Sequence, residues 1–286
     1  MLVQMAGDSM AVRENFNQTG VKVHVGAVSY LNTKPLIEGI QQQYPWIDLS
    51  VDLPSRLADQ LRSGKLDVAL IPSIEFFRGD DYTIVSDACI ASIGPVWSVK
   101  LLFRVPPQEV KSLALDEGSR TSATLARILL KREYGVVPEL RPLPIQANWE
   151  TADADAVLII GDRAMKPISS DWYDSWDIGQ KWREHSGSPC VFAMWVARRG
   201  FESAELGEIL SQARDKGLSH AEKIASRECE GYGLSQSMCL RYFREFLHFH
   251  LGHEERDGLT KFYEAAVELG LAPAGKLPFR YAESVK

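Results

Sequence analysis

Nowhere in the 286 residues does an apolar run approach the roughly 20 residues that span a bilayer. The segment Met1 to Gly20 carries Asp8, Arg13, Glu14 and Asn17 and holds no continuous apolar stretch. A secretory leader needs about 7–15 apolar residues in a row, so none is read there. Cysteine is sparse: Cys89, Cys190, Cys229 and Cys239 are scattered and form no C-x-x-C. Without a leader they read as reduced thiols of a cytoplasmic protein. A basic stripe is lacking too, since 32 Lys and Arg stand against 38 Asp and Glu, a net charge of -6. That balance argues against a nucleic-acid partner. An anionic ligand would have to be held by local geometry, because the overall field is mildly repulsive. G-x-G-x-x-G, the P-loop and G-x-S-x-G are all missing, and no nucleotide, flavin or metal cofactor is expected.

What is present is an alternation of strand and helix patterns. Val21, Val23 and Val25 alternate with Lys22 and His24 and run into Ala27-Val28, a strand. Lys34-Pro35-Leu36-Ile37 opens a helix, with Pro35 suited to its first turn. Ile47 to Leu53 reads as a strand, Ser55 as the cap of a helix that buries Leu57, Ala58 and Leu61, and Leu66 to Ile71 as a buried strand before a helix at Pro72-Ser73. This is β-α-β-α-β, the pattern of a mainly parallel sheet. A second such unit starts at Ser112 to Leu115, continues into a helix carrying Leu125, Ile128 and Leu129, and includes the strand Ala156 to Ile160. Val191 to Val196 is a last strand, and the pattern beyond Phe201 is helical to about Leu271. These units predict an α/β protein: a flexible tail 1–20, a discontinuous lobe 21–104 plus 195–286, and an inserted lobe 105–194, with the ligand cleft between lobes.

Four strand ends share a chemistry. Val28 leads to Ser29–Asn32, Ile71 to Ser73, Leu115 to Ser119–Ser122, and Ile160 to Gly161-Asp162. Carboxyl ends of strands in open α/β sheets face the ligand crevice, and helix starts offer unpaired N–H groups that suit carboxylates or phosphates. Taken singly, Asn32, Thr33, Ser73 and Asp162 read more readily as ordinary helix caps. Gly118-Ser119-Arg120-Thr121-Ser122 is richer: the glycine permits close approach, Ser119, Thr121 and Ser122 can donate, and Arg120 either forks a carboxylate or pairs with Asp116 or Glu117. His248, His250 and His253 with Glu254 look like metal ligands, but at helical spacing they read as a solvated helix end.

With those residues in hand, a resemblance emerges. Gly26-Ala27-Val28-Ser29-Tyr30-Leu31-Asn32-Thr33-Lys34-Pro35-Leu36 resembles the opening motif of the chorismate dehydratases of the futalosine route to menaquinone. So do Asp67–Glu75, Gly94–Val99, Ser119–Ser122, Val157–Asp162 and Val191–Trp195, in the same order and spacing. The resemblance implies a two-lobed fold of the periplasmic-binding-protein type II kind. It implies a cofactor-free lyase that dehydrates chorismate, a dianionic small molecule, to 3-[(1-carboxyvinyl)oxy]benzoate. It places Asn32 and Ser98 at the reacting centre and gives the Ser119–Ser122 turn a substrate carboxylate. Ser29, Ser73, Gly161 and Asp162 complete the expected binding set. His185, Ser186 and Cys190 depart from the family pattern. Two alternatives remain: 1,4-dihydroxy-6-naphthoate synthase of the same route, and a non-catalytic binding protein for small anions.

Overall fold

The computed structural model describes residues 22–169, 171–201, 203–282 and 285, so the expected tail 1–20 lies outside the described residues. The chain lays down β1 (Val23–Val28), β2 (Ile47–Asp52), β3 (Val68–Pro72) and β4 (Thr83–Ser92). It then builds a second sheet from β5 (Val99–Phe103), β6 (Ser112–Asp116), β7 (Glu139–Leu143), β8 (Ala156–Ile160) and β9 (Asp174–Asp177). It returns to the first for β10 (Cys190–Ala197) and β11 (His248–His250). The sheets run β11-β4-β10-β3-β1-β2 and β7-β6-β8-β5-β9. β1 is parallel to β2 and β3, and β6 to β7 and β8. β10 is antiparallel to β3 and β4, and β5 to β8 and β9. β3, β8 and β10 are buried along their whole length, as continuous apolar runs require when both faces of a sheet are covered.

The two passages between sheets differ from the lobe boundaries expected at 104/105 and 194/195. β5 pairs Leu101 with Leu158 and with Trp176, so it belongs to the second sheet and the first passage is 93–98. β10 pairs along its length with β3 and β4, so the second passage is 187–189. An apolar strand satisfies either core equally well, and its pattern does not say which sheet it joins.

Local corrections have local causes. Leu31–Ile37 is a three-ten helix with Pro35 inside it, and Pro54, not a Ser55 cap, opens the helix Pro54–Arg62. His248–His250 is an edge strand on β4, so the expected helix begins only at His253. Its alternation places Phe249 in the core and leaves His250 exposed. The helix Ala204–Ser219 lies against Leu31–Ile37 so closely that a Cβ at Gly217 would fall on the Pro35 carbonyl. No helix among the described residues is long and apolar enough to cross a membrane.

Candidate active site

The ends of β1, β3, β6 and β8, with the starts of β5 and β10 and Ile90 of β4, surround a cavity between the sheets. Val28, Ile90, Val96, Ile160 and Phe192 supply apolar wall. Of the residues singled out in the sequence, Asn32, Ser98, Ser119, Arg120, Thr121, Ser122 and Gly161 line it. Ser29, Ser73 and Asp162 do not. Ser73 is fully buried and its hydroxyl donates to the Val191 carbonyl at 2.7 Å. Ser29 takes part through its backbone, its N–H donating to the Asp52 carbonyl and its own carbonyl accepting from the Tyr232 hydroxyl at 3.4 Å. Asp162 accepts the Leu31 N–H at 3.1 Å, and burial pushes its carboxyl up to about 6.

Ser98 sits at the start of β5 because the turn before it is held in an uncommon shape. Trp97 has φ 64°, the left-handed region that non-glycine residues rarely occupy. The Asp177 carboxylate, from the end of β9, accepts the N–H groups of Val96 and Trp97 at 2.9 and 2.6 Å. It also accepts Gln180 N–H at 3.1 Å, capping the helix Ile178–Ser186. Gly161 N–H in turn donates to the Ser98 carbonyl at 2.9 Å.

The Gly118–Ser122 loop leads into the helix Thr121–Tyr134. Asp116 shapes it by accepting Gly118 N–H at 3.0 Å and Ile160 N–H at 3.2 Å, with the Arg163 guanidinium against the same carboxylate. Ser119 Oγ accepts Ala123 N–H at 3.2 Å. Thr121 Oγ1 donates to the Phe192 carbonyl at 3.0 Å and accepts Ile74 N–H at 3.3 Å, tying the loop to the first lobe. Among the described residues, the N–H groups of Thr121 and Ser122 and the Ser122 hydroxyl have no acceptor. These groups and the helix start favour an anion.

Arg120 is the cation expected to fork a carboxylate or to pair with Asp116 or Glu117. Its guanidinium goes instead to the first lobe, reaching Asp59 at 2.7 Å and Glu75 at 2.9 Å. Asp116 is occupied by Arg163, and Glu117 by Arg56 at 3.0 Å. Glu75 is buried and also receives Arg62 and Arg78. Arg120 thus joins the lobes, and its loop lines the cavity.

The sequence did not single out Tyr30, which lines the cavity, or Tyr242, which lies behind Ser98. Tyr30 reaches across the lobes: its ring would lie 2.8 Å from a Cβ at Gly161, and its hydroxyl 2.8 Å from one at Gly118. That hydroxyl is buried without a partner among the described residues, and burial with the charges of Asp116 and Asp162 raises its pKa. Tyr30 stands inside the opening motif, which was the available signal. Tyr242 donates to Ser98 Oγ at 2.7 Å from the helical tail, where nothing in the pattern marks it. His185, Ser186 and Cys190 fall outside the cavity lining. Ser186 donates back to the Trp182 carbonyl, and Cys190 is buried in β10. No cluster of His, Cys, Asp or Glu with metal-binding geometry occurs among the described residues.

A family model described as menaquinone biosynthesis matches residues 23–268. The chain belongs to the menaquinone-biosynthesis family. It is 28% identical to the chorismate dehydratase of Thermus thermophilus over 265 residues, covering 84% of this chain and 94% of that protein. With the chorismate dehydratase of Campylobacter jejuni the identity is 24%, covering 86% of this chain and 99% of that one. Among solved structures, the alkanesulfonate-binding protein SsuA of Xanthomonas axonopodis superposes with a TM-score of 0.59 at 13% identity, covering 88% of this chain and 94% of that chain. The fold is the two-lobed periplasmic-binding-protein type, with the cavity where the lobes meet.

Proposed function

We propose that this protein is a chorismate dehydratase acting at the first step of the futalosine route to menaquinone. The observation that carries the reading is the convergence of Asn32, Ser98 and the Ser119–Ser122 helix start on one interlobe cavity, in a chain of the menaquinone-biosynthesis family. Chorismate is a dianion. The Thr121 and Ser122 N–H groups suit one carboxylate without a free cation.

In the reaction the C3–H and C4–O bonds break, the C–H electron pair becomes a ring double bond, and the proton and hydroxyl leave as water. Aromatisation drives the step, and no electrons are exchanged with a second reagent. Neither His, Glu, Asp nor Lys is among the described residues lining the cavity. The substrate's own enolpyruvyl carboxylate therefore takes the C3 proton, oriented by Asn32, while Ser98 donates a hydrogen bond to the departing C4 hydroxyl. The protein's contribution is orientation and exclusion of water.

The test is incubation of the purified protein with chorismate, following formation of 3-[(1-carboxyvinyl)oxy]benzoate. Turnover that falls by about a hundred-fold or more in Asn32→Asp or Ser98→Ala supports the reading. Tight binding of chorismate with no product would leave a binding protein.

A further inference from the structure

We propose that Tyr242 is a positioning residue that fixes which way the Ser98 proton points. The inference rests on the dehydratase reading and adds to it a residue from the helical tail, 144 positions along the chain from Ser98. Tyr242 is 1% exposed, and its hydroxyl donates to Ser98 Oγ at 2.7 Å.

The polarity follows from the donors available. A hydroxyl has one proton to give. Tyr242 gives to Ser98, and the Ser98 proton finds no acceptor among the described residues. It is left for the ligand in the cavity that Ser98 lines. Burial keeps the phenol protonated, so the direction holds across the working pH range. Aligned hydrogen bonds of this kind also polarise one another, making Ser98 a better donor to a departing hydroxyl.

Two features place the phenol. Tyr242–Phe246 is a π-helix, closed by Leu247 N–H on the Tyr242 carbonyl at 3.2 Å, a local widening that recurs at functional sites. The Tyr242 ring meets Trp97 edge-on at 5.7 Å, beside Ser98 itself.

The experiment is a kinetic double-mutant cycle with chorismate. Tyr242→Phe is expected to lower kcat by about 10- to 30-fold while KM stays within about two-fold. In the Ser98→Ala background the same change should alter kcat by less than about two-fold, because Tyr242 acts only through the missing hydroxyl. A Tyr242→Phe enzyme with wild-type kcat, or losses that multiply in the double variant, would overturn the inference. Should Tyr242→Phe fail to fold, 3-fluorotyrosine at position 242 serves as a stronger donor of nearly the same shape. A rise in kcat then supports the assignment, and no change or a fall overturns it. Absence of turnover by the unmodified protein would instead defeat the dehydratase reading itself.

Discussion

The Asp177 carboxylate accepts the main-chain N–H of Trp97 at 2.6 Å, and Trp97 is held at φ 64° next to Ser98. A left-handed non-glycine residue costs about 1–3 kcal/mol and persists only where its surroundings over-determine it. Asp177 is that surrounding, since it also holds Val96 and Gln180 N–H. Asp177→Ala leaves these donors unpaired and is expected to lower stability by about 2–4 kcal/mol. It should lower kcat with it, as Ser98 loses its place. Urea denaturation and chorismate turnover measure both; an unchanged midpoint denies the clamp.

Arg120 joins the lobes through Asp59 and Glu75. Glu75 keeps Arg62 and Arg78 when Arg120 is removed, so no buried carboxylate is left alone. Arg120→Ala is therefore expected to cost only about 1 kcal/mol in stability. It should raise KM by about 5- to 10-fold, because closure of the lobes over substrate is less favourable. Steady-state kinetics at low and high salt are the check, and an unaltered KM would remove Arg120 from lobe closure.

Gly118 and Gly161 both make room for Tyr30, but for different parts of it. A Cβ at Gly118 meets the hydroxyl first, whereas one at Gly161 meets the ring, at a backbone φ of +68°. Each Gly→Ala change is expected to destabilise by about 1–3 kcal/mol. Adding Tyr30→Phe should recover most of the Gly118→Ala loss and little of the Gly161→Ala loss. Tyr30→Phe by itself removes an unpartnered buried hydroxyl and should be close to neutral. Thermal unfolding of the single and double variants separates these outcomes.

Asp162 carries a pH dependence. Burial lifts its carboxyl from 3.8 to about 6, so folding favours its protonated form. The stabilisation is fully present below the unfolded pKa and is lost as pH rises through about 6. Asp162→Asn keeps an oxygen for Leu31 N–H and has no such loss. Its stability relative to wild type should rise by about 1–2 kcal/mol between pH 4 and pH 7, read by urea denaturation at each pH. If the substrate supplies its own base, the variant also keeps the wild-type pH–rate profile; loss of an acid limb near pH 6 would make Asp162 the base.

Much of the site was legible along the chain because it is made of strand ends. The loops after Val28, Leu115 and Ile160 follow their strands directly, and a parallel arrangement brings such ends to one edge of each sheet. Asn32, Ser119–Ser122 and Gly161 meet at the cavity for that reason. Ser73 follows β3 in the same way, yet its hydroxyl is turned to Val191, a choice made by packing and not by position.

The amino-acid order alone determined two α/β units and the small polar turns that end their strands, since periodicity and turn chemistry are local properties. Only the folded arrangement decided which sheet β5 and β10 complete, because both sheets accept the same apolar pattern. It alone also decided that Arg120 meets Asp59 and Glu75, and that Tyr242 meets Ser98. Partners so far apart in the chain are chosen by how the lobes and the helical tail pack, and no short stretch of residues carries that information.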